Sequence, residues 1–370
     1  MATITIIFYP EAGHLNASFK FAKTLRSRGH VVWYAGLPDF RERVVSQGLG
    51  FIPMFAELCP EGFMRRQAVE NGLENFEALL LLARRNNSSF DPAREVREVI
   101  RMTRPDLFVI DLLLPELAAL IAERGFPVVL LNTQLFNPWE GEEKSRYGPV
   151  ESLPELILCP RKFDFPGATR KRNAHYVEAS IDLERKDIAF PWHRLEVGRR
   201  LLYCSFGSQS HLISGAGRLF RTLVEAVAPR REWHLVLAAG AGVRIEEFDP
   251  ALPHVVLVKH APQLELLRRS SVAISHGGFN SVKECIFFGV PMMLFPLIRD
   301  HPAIAARVVY HGLGVSANMH KTTPEQIGSL LDRVGNDPPY RANVEMMGAE
   351  FRSKESLAES ASIVEGMLSR

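Results

Sequence analysis

A chain of 370 residues, 46% hydrophobic and 23% charged, has an ordinary globular mix, which excludes disorder and fibrous repeats and leaves room for two or three domains of roughly 150 residues each. Forty-four basic residues against 42 acidic ones give a formal charge of +2, too balanced for a protein whose main task is to grip nucleic acid or an anionic membrane. The four cysteines, Cys59, Cys159, Cys204 and Cys285, form no CxxC pair, which argues against a disulfide scaffold or a cysteine zinc site and points to a reducing cytoplasm.

Residues 1–9 are apolar but lack a basic n-region and run into Pro10-Glu11, so no export signal is expected. The stretch 107–122 is broken by Asp111, Pro115 and Glu116 and is too short and too polar to span a bilayer. In chain order, residues 3–9 (TITIIFY) predict a buried strand. Residues 18–28 carry Phe19, Phe21, Ala22 and Leu25 at helical spacing, and Gly29 stops that helix. A strand follows at 30–35 and a weaker one at 51–55; residues 72–103 read as mostly helical. A strand at 107–110, a helix over 115–124 that Pro115 starts, and a strand at 127–131 complete the first half.

Residues 132 to about 195 show no period and read as loops plus a linker, with Arg170-Lys171-Arg172 as a solvated loop. The alternation then restarts. Strands are expected at 201–206, 233–238, 255–258, 272–275 and 292–295. Helices are expected at 219–228, 263–269 and 281–288, within 303–311, and from 324 onward. Strand–helix alternation requires parallel sheets covered on both faces. The expected fold class is therefore α/β, with two Rossmann-like, doubly wound domains facing each other across a cleft. Ligands in such folds sit at the carboxyl ends of the strands, and a cleft between domains is a preferred small-molecule site.

The first strand ends in YPEAGHLNAS, which presents His14 in the loop that follows it. A neutral imidazole there can take a proton from a hydroxyl near neutral pH, although a structural loop histidine explains the position equally simply. Asp111 ends another strand (LFVID), so the two side chains can project from one sheet edge. A carboxylate behind an imidazole fixes its tautomer and stabilises the imidazolium; the plain alternative for Asp111 is a cap for the helix near Pro115. No Asp-x-Asp pair exists in the chain, so no metal is expected. The second half supplies the denser pattern. Strand VAIS runs into His276-Gly277-Gly278 and then into a helix opening near Asn280-Ser281. Glycines let a phosphate approach the backbone, and the free N–H groups and helix dipole favour an anion there. Glu284 lies one turn further on the same face, where a carboxylate can accept from ribose hydroxyls.

Residues 260–314 resemble the donor-binding signature of family 1 glycosyltransferases, the UDP-glycosyltransferase superfamily with the two-domain GT-B fold. The resemblance rests on Ala261-Pro262-Gln263, His276, Gly278, Asn280, Ser281, Glu284, Gly289-Val290-Pro291, Pro296, Asp300 and Gly312 to Gly314. GHLNAS followed by RGHVVWYAG, and Ser205 to Ser208 (SFGS), extend it to both halves.

The resemblance implies an inverting transfer of a hexose from a UDP-sugar to a small apolar or aromatic acceptor, with no cofactor beyond that co-substrate. It implies His14 as general base held by Asp111. It implies Ser208, His276, Asn280, Ser281 and the helix terminus on the diphosphate, with Gly278 at the turn, Ala261 and Gln263 along the uridine, and Asp300 and His301 on the sugar. His260 stands where the family commonly stacks a Trp on the base, and His301 replaces its usual Gln. Acceptor walls are sought at Phe55, Phe63, Phe76, Phe90, Phe136, Trp139 and Tyr147, each of which also suits a core. The expected organisation is an acceptor domain over 1–190, a donor domain over 191–352, and a last helix over 353–370 crossing back to the first domain. No nucleic-acid partner or integral membrane segment is expected, and the chain is a monomer or homodimer. A UDP-sugar 2-epimerase on the same fold, or a nucleotide-sugar-binding protein without catalysis, stays open at this point.

Overall fold

Apolar runs without alternation become strands buried on both faces, as parallel sheets require. The computed structural model describes all residues except 65, 67–90, 139–143, 186–187, 208–215, 241–251 and 370. The chain divides into two units, one of residues 1–158, 169–180 and 357–370, the other of 159–168 and 181–356, where the sequence pattern places boundaries after 190 and 352.

The first unit is built on β1 (Thr3–Ile7), α1 (Ala12–Ser27), β2 (Val31–Gly36), β3 (Gly50–Pro53), α2 (Pro92–Thr103), β4 (Leu107–Asp111), α3 (Pro115–Ala122) and β5 (Val128–Asn132), followed by the short strands β6 (Glu155–Ile157) and β7 (Ala174–Tyr176). Its sheet runs β3-β2-β1-β4-β5-β6-β7 with every pair parallel. Leu15, Phe19, Ala22 and Leu25 of α1 pack on one face with Ala361 and Val364. Val96, Val99, Ala118 and Ile121 of α2 and α3 cover the other.

Three expectations are corrected here. α1 starts six residues before the expected 18, so His14 lies in its first turn rather than in a loop. Residues 132–195 are not all loop: three-residue runs supply β6 and β7, which are too short to show a period. The basic triplet is not a solvated loop. Arg170 donates to the carbonyls of Leu135 and Phe136, and Lys171 Nζ donates to the carbonyl of Leu153 beside Glu155. Burial pushes the Lys171 ammonium down to about 8; only Arg172 faces solvent.

The second unit contains β8 (Arg200–Ser205), α4 (Ala216–Val227), β9 (Trp233–Ala238), β10 (Val255–Val258), β11 (Ser270–Ser275), α5 (Phe279–Phe287), β12 (Met292–Leu294), α6 (His301–Tyr310), β13 (Gly314–Ser316), α7 (Pro324–Asn336) and α8 (Pro338–Glu355). Its sheet runs β10-β9-β8-β11-β12-β13, again all parallel. Residues 159–168 join it through Phe163, stacked on Phe279 with centroids 5.8 Å apart, and through the buried Asp164, whose Oδ1 accepts from Arg307 Nη2 at 2.7 Å. The last helix, α9 (Glu359–Leu368), belongs to the first unit. There the Ser360 backbone N–H and hydroxyl both donate to Glu178, and Arg28 and His30 hold Glu365. Among the described residues, no helix is long and apolar enough to cross a membrane.

Candidate active site

Each sheet reverses its strand order once: between β1 and β4 in the first unit, and between β8 and β11 in the second. At such a point the connections leave in opposite directions and open a crevice at the carboxyl ends of the strands. His14 and Asp111 lie at the first of these crevices, and His276 lies at the second.

In the first unit, β1 leads into α1 and places His14 in the helix's first turn; β4 ends on Asp111. Both side chains are almost fully buried. Asp111 Oδ2 lies 2.7 Å from His14 Nδ1, and Oδ1 accepts from the Leu113 backbone N–H at 3.0 Å. Asp111 is not the cap of α3, whose N-cap is Leu114. Thr133 Oγ1 also faces Nδ1 at 3.0 Å, and Gln134 Nε2 lies 2.8 Å from His14 Nε2. The sequence reading missed Thr133 and Gln134; the signal available was their place directly after a strand neighbouring β4.

In the second unit, β11 ends in Ser275-His276-Gly277-Gly278 and α5 begins at Phe279. Two glycines make room for the His276 ring. A Cβ on Gly278 would stand 2.4 Å from Nε2, and one on Gly207, at φ +75, would stand 2.9 Å from Cε1. The rings of His276 and His301 meet edge to face at 4.5 Å. Burial, reinforced by the neighbouring His301, pushes His276 down to about 3; burial, reinforced by Arg299, pushes His301 down to about 4. Both rings are therefore neutral near pH 7. Gly278 occupies the N-cap position of α5 without a side-chain cap, so the opening turn of that helix can meet an anion; at α6 the His301 N–H already donates to the Ile298 carbonyl at 3.1 Å and Pro302 has no N–H.

A second cluster lies beside it. Gln263, at the start of a one-turn helix, donates to Glu284 Oε2 at 2.5 Å, lies 3.4 Å from Ser281 Oγ, and accepts from Tyr203 at 3.2 Å. Arg185 Nη1 donates to Glu284 Oε1 at 2.5 Å and Nη2 lies 3.3 Å from Oε2. Arg185 was missed because it falls in the stretch without periodicity. Asn280 sits half-buried in the first turn of α5. Among the described residues, no hydrogen bond or ring contact ties the exposed His260 or Ala261 to either cluster. Ser208 lies outside the described residues, as do Phe76, Phe90 and Trp139. Phe55 and Tyr147 are buried in the first unit's core, with Phe63 and Phe136 packed against it. Among the described residues, no group of three or more His, Cys, Asp or Glu is placed to hold a metal ion.

Comparison with known proteins gives a consistent result. Residues 234–367 match the family described as erythromycin biosynthesis protein CIII-like, C-terminal domain. Over the full chain, the sequence is 26% identical to the demethyllactenocin mycarosyltransferase of Streptomyces fradiae, covering 87% of that protein. The fold is similar to that of the calicheamicin glycosyltransferase CalG4, with a TM-score of 0.78 at 23% identity over 100% of this chain and 99% of that one. It is also similar to the glycosyltransferase VinC in complex with dTDP, with a TM-score of 0.76 at 18% identity over the whole of both chains.

Proposed function

We propose that the chain, whose C-terminal half matches a glycosyltransferase family model and whose fold is that of solved glycosyltransferases, is a family 1 glycosyltransferase, and within it an inverting, metal-independent hexosyltransferase. In this reading it moves a sugar from UDP to a hydroxyl of a small apolar or aromatic natural product. The observation that carries the reading is the buried His14–Asp111 pair at the β1/β4 crevice.

His14 Nε2 takes the proton of the acceptor hydroxyl, and Asp111 stabilises the imidazolium that forms. The acceptor oxygen forms its bond to the anomeric carbon as the bond from that carbon to the β-phosphate oxygen breaks. The electron pair leaves on the diphosphate, and attack from the opposite face inverts the centre. The first turn of α5, with neutral His276, Asn280 and Ser281, stabilises the charge that develops there. Ser208 is assigned to the same anion, and Asp300 and His301 to the sugar hydroxyls. Gln263 and Ala261 line the base, with His260 stacked on it. Glu284 accepts from the ribose. The four cysteines are buried and free, which suits a cytoplasmic enzyme.

A dTDP-sugar donor is the second reading. It is favoured by Glu284, whose oxygens already face Arg185 and Gln263, so a nucleotide lacking the 2′-hydroxyl forfeits less there.

The test is a donor screen with UDP-glucose, UDP-galactose, UDP-GlcNAc and dTDP-glucose against phenol and polyketide acceptors, read by mass shift. A UDP-hexose is expected to give the hexosylated product. Sugar equilibration without an acceptor would favour an epimerase instead.

A further inference from the structure

His14 has two ring nitrogens, and Asp111 accounts for only one. The other, Nε2, lies 2.8 Å from the side-chain amide nitrogen of Gln134. An amide nitrogen only donates. With that nitrogen facing the ring, Nε2 holds the lone pair and the proton sits on Nδ1, where Asp111 Oδ2 accepts it at 2.7 Å.

The loop that presents Gln134 is fastened on every side. Asn132 Oδ1 accepts from the backbone N–H of Gln134 at 3.3 Å and of Phe136 at 3.2 Å. Asn132 Nδ2 donates to the Phe136 carbonyl at 2.6 Å and to Glu155 Oε1 at 2.7 Å. Arg170 donates to the carbonyls of Leu135 and Phe136 at 3.1 Å and 2.7 Å. Between them Leu135 adopts φ +58, a left-handed conformation unfavourable for a branched side chain. Such strain persists only where its surroundings enforce it. Here it sits one residue from the amide that covers the ring.

We infer that Gln134 is a positioning residue for the base. Its carboxamide holds the Nε2 lone pair in the free enzyme, keeps the ring in the Nδ1–H tautomer, and gives way to the acceptor hydroxyl, whose O–H takes over the same lone pair. The inference rests on the reading of His14 as the base. Among the described residues, the ring meets Asp111 from β4, Thr133 and Gln134 from the loop after β5, and the Tyr9 ring, two residues past β1, at 5.1 Å; the carboxylate of Glu11 belongs to the N-cap residue of its own helix. Of these, only the Gln134 amide donates to Nε2, and a donor there opposes protonation of the ring.

The test compares wild type, Gln134→Met, Gln134→Glu and His14→Asn in the full chain. It records the pH profile of kcat/KM for an acceptor found in the screen and the ring nitrogen NMR signals of 15N-histidine-labelled protein, with His14 assigned by its loss in His14→Asn. Wild type is expected to show an unprotonated Nε2 at neutral pH. Gln134→Met is expected to raise the midpoint of the acid limb by about half a unit to one unit. Gln134→Glu raises it further, because a carboxylate at the same place holds a proton on Nε2. A midpoint that stays or falls in Gln134→Met, or an Nε2–H in wild type, would overturn the inference while leaving the base intact. Full turnover in His14→Asn would remove the base reading itself, whatever Gln134 does.

Discussion

The guanidinium of Arg185 holds the carboxylate of Glu284, with Nη1 2.5 Å from Oε1 and Nη2 3.3 Å from Oε2. Glu284 is buried and Arg185 half-buried, and Gln263 completes the cluster. A carboxylate so placed is oriented before any nucleotide arrives, because both its partners are donors and neither can rotate away without leaving a buried charge.

The donor's ribose is the first consequence. Glu284→Ala is expected to weaken UDP binding by about tenfold, the worth of a charge-assisted hydrogen bond, and dTDP binding by less. Titration calorimetry of both nucleotides on both proteins decides it. Equal affinity for UDP and dTDP, with neither changed by the substitution, would speak for the deoxyribose donor.

The dyad makes a sharper demand. His14→Ala is expected to lower transfer by roughly 10²- to 10⁴-fold, and Asp111→Asn to fall in the same range by unsettling the tautomer. UDP affinity should hold in both variants, since the nucleotide is assigned to the other unit. Steady-state kinetics paired with calorimetry measures this; loss of UDP binding in His14→Ala would count against the division of labour.

The glycine beside His276 leaves no space for a methyl group. Gly278→Ala puts a Cβ 2.4 Å from Nε2 of His276, so the ring or the first turn of α5 must move. UDP affinity is expected to drop at least about tenfold while the far-ultraviolet dichroism stays native, because the change is confined to one loop. Unchanged affinity would show that His276 does not line the anion site.

The two neutral histidines predict a pH slope. His276 and His301 are pushed down to about 3 and about 4, chiefly by burial, while unfolded histidine titrates near about 6.5. Below that value the unfolded chain binds more protons than the native one, so stability falls as the pH drops from about 6.5 towards 4. Urea unfolding at pH 7, 6 and 5 measures the slope. His276→Asn should flatten it, and an unchanged slope in that variant would sink the assignment.

The sequence by itself determined both sheets at their centres. Short apolar runs such as LFVI and VVLL, bounded by turn residues and rich in β-branched side chains, suit strands buried on both faces, and the glycines after VAIS suit a tight turn into a helix. It also singled out His14 and Asp111, because residues at the carboxyl ends of strands in this fold class share one edge. Tertiary structure alone decided the rest. The strands β6 and β7 are three residues long, so no period could announce them. Arg170 and Lys171 looked solvated because the carbonyls and the carboxylate that take them in come from Leu135, Phe136, Leu153 and Glu155, distant in sequence. Arg185 and Gln134 carry no local signature, since what gives each its role is a partner 99 or 120 positions away. Local pattern records the surface a segment must bury; which side chains meet is settled only when the sheets have formed and each buried polar group has had to find its partner.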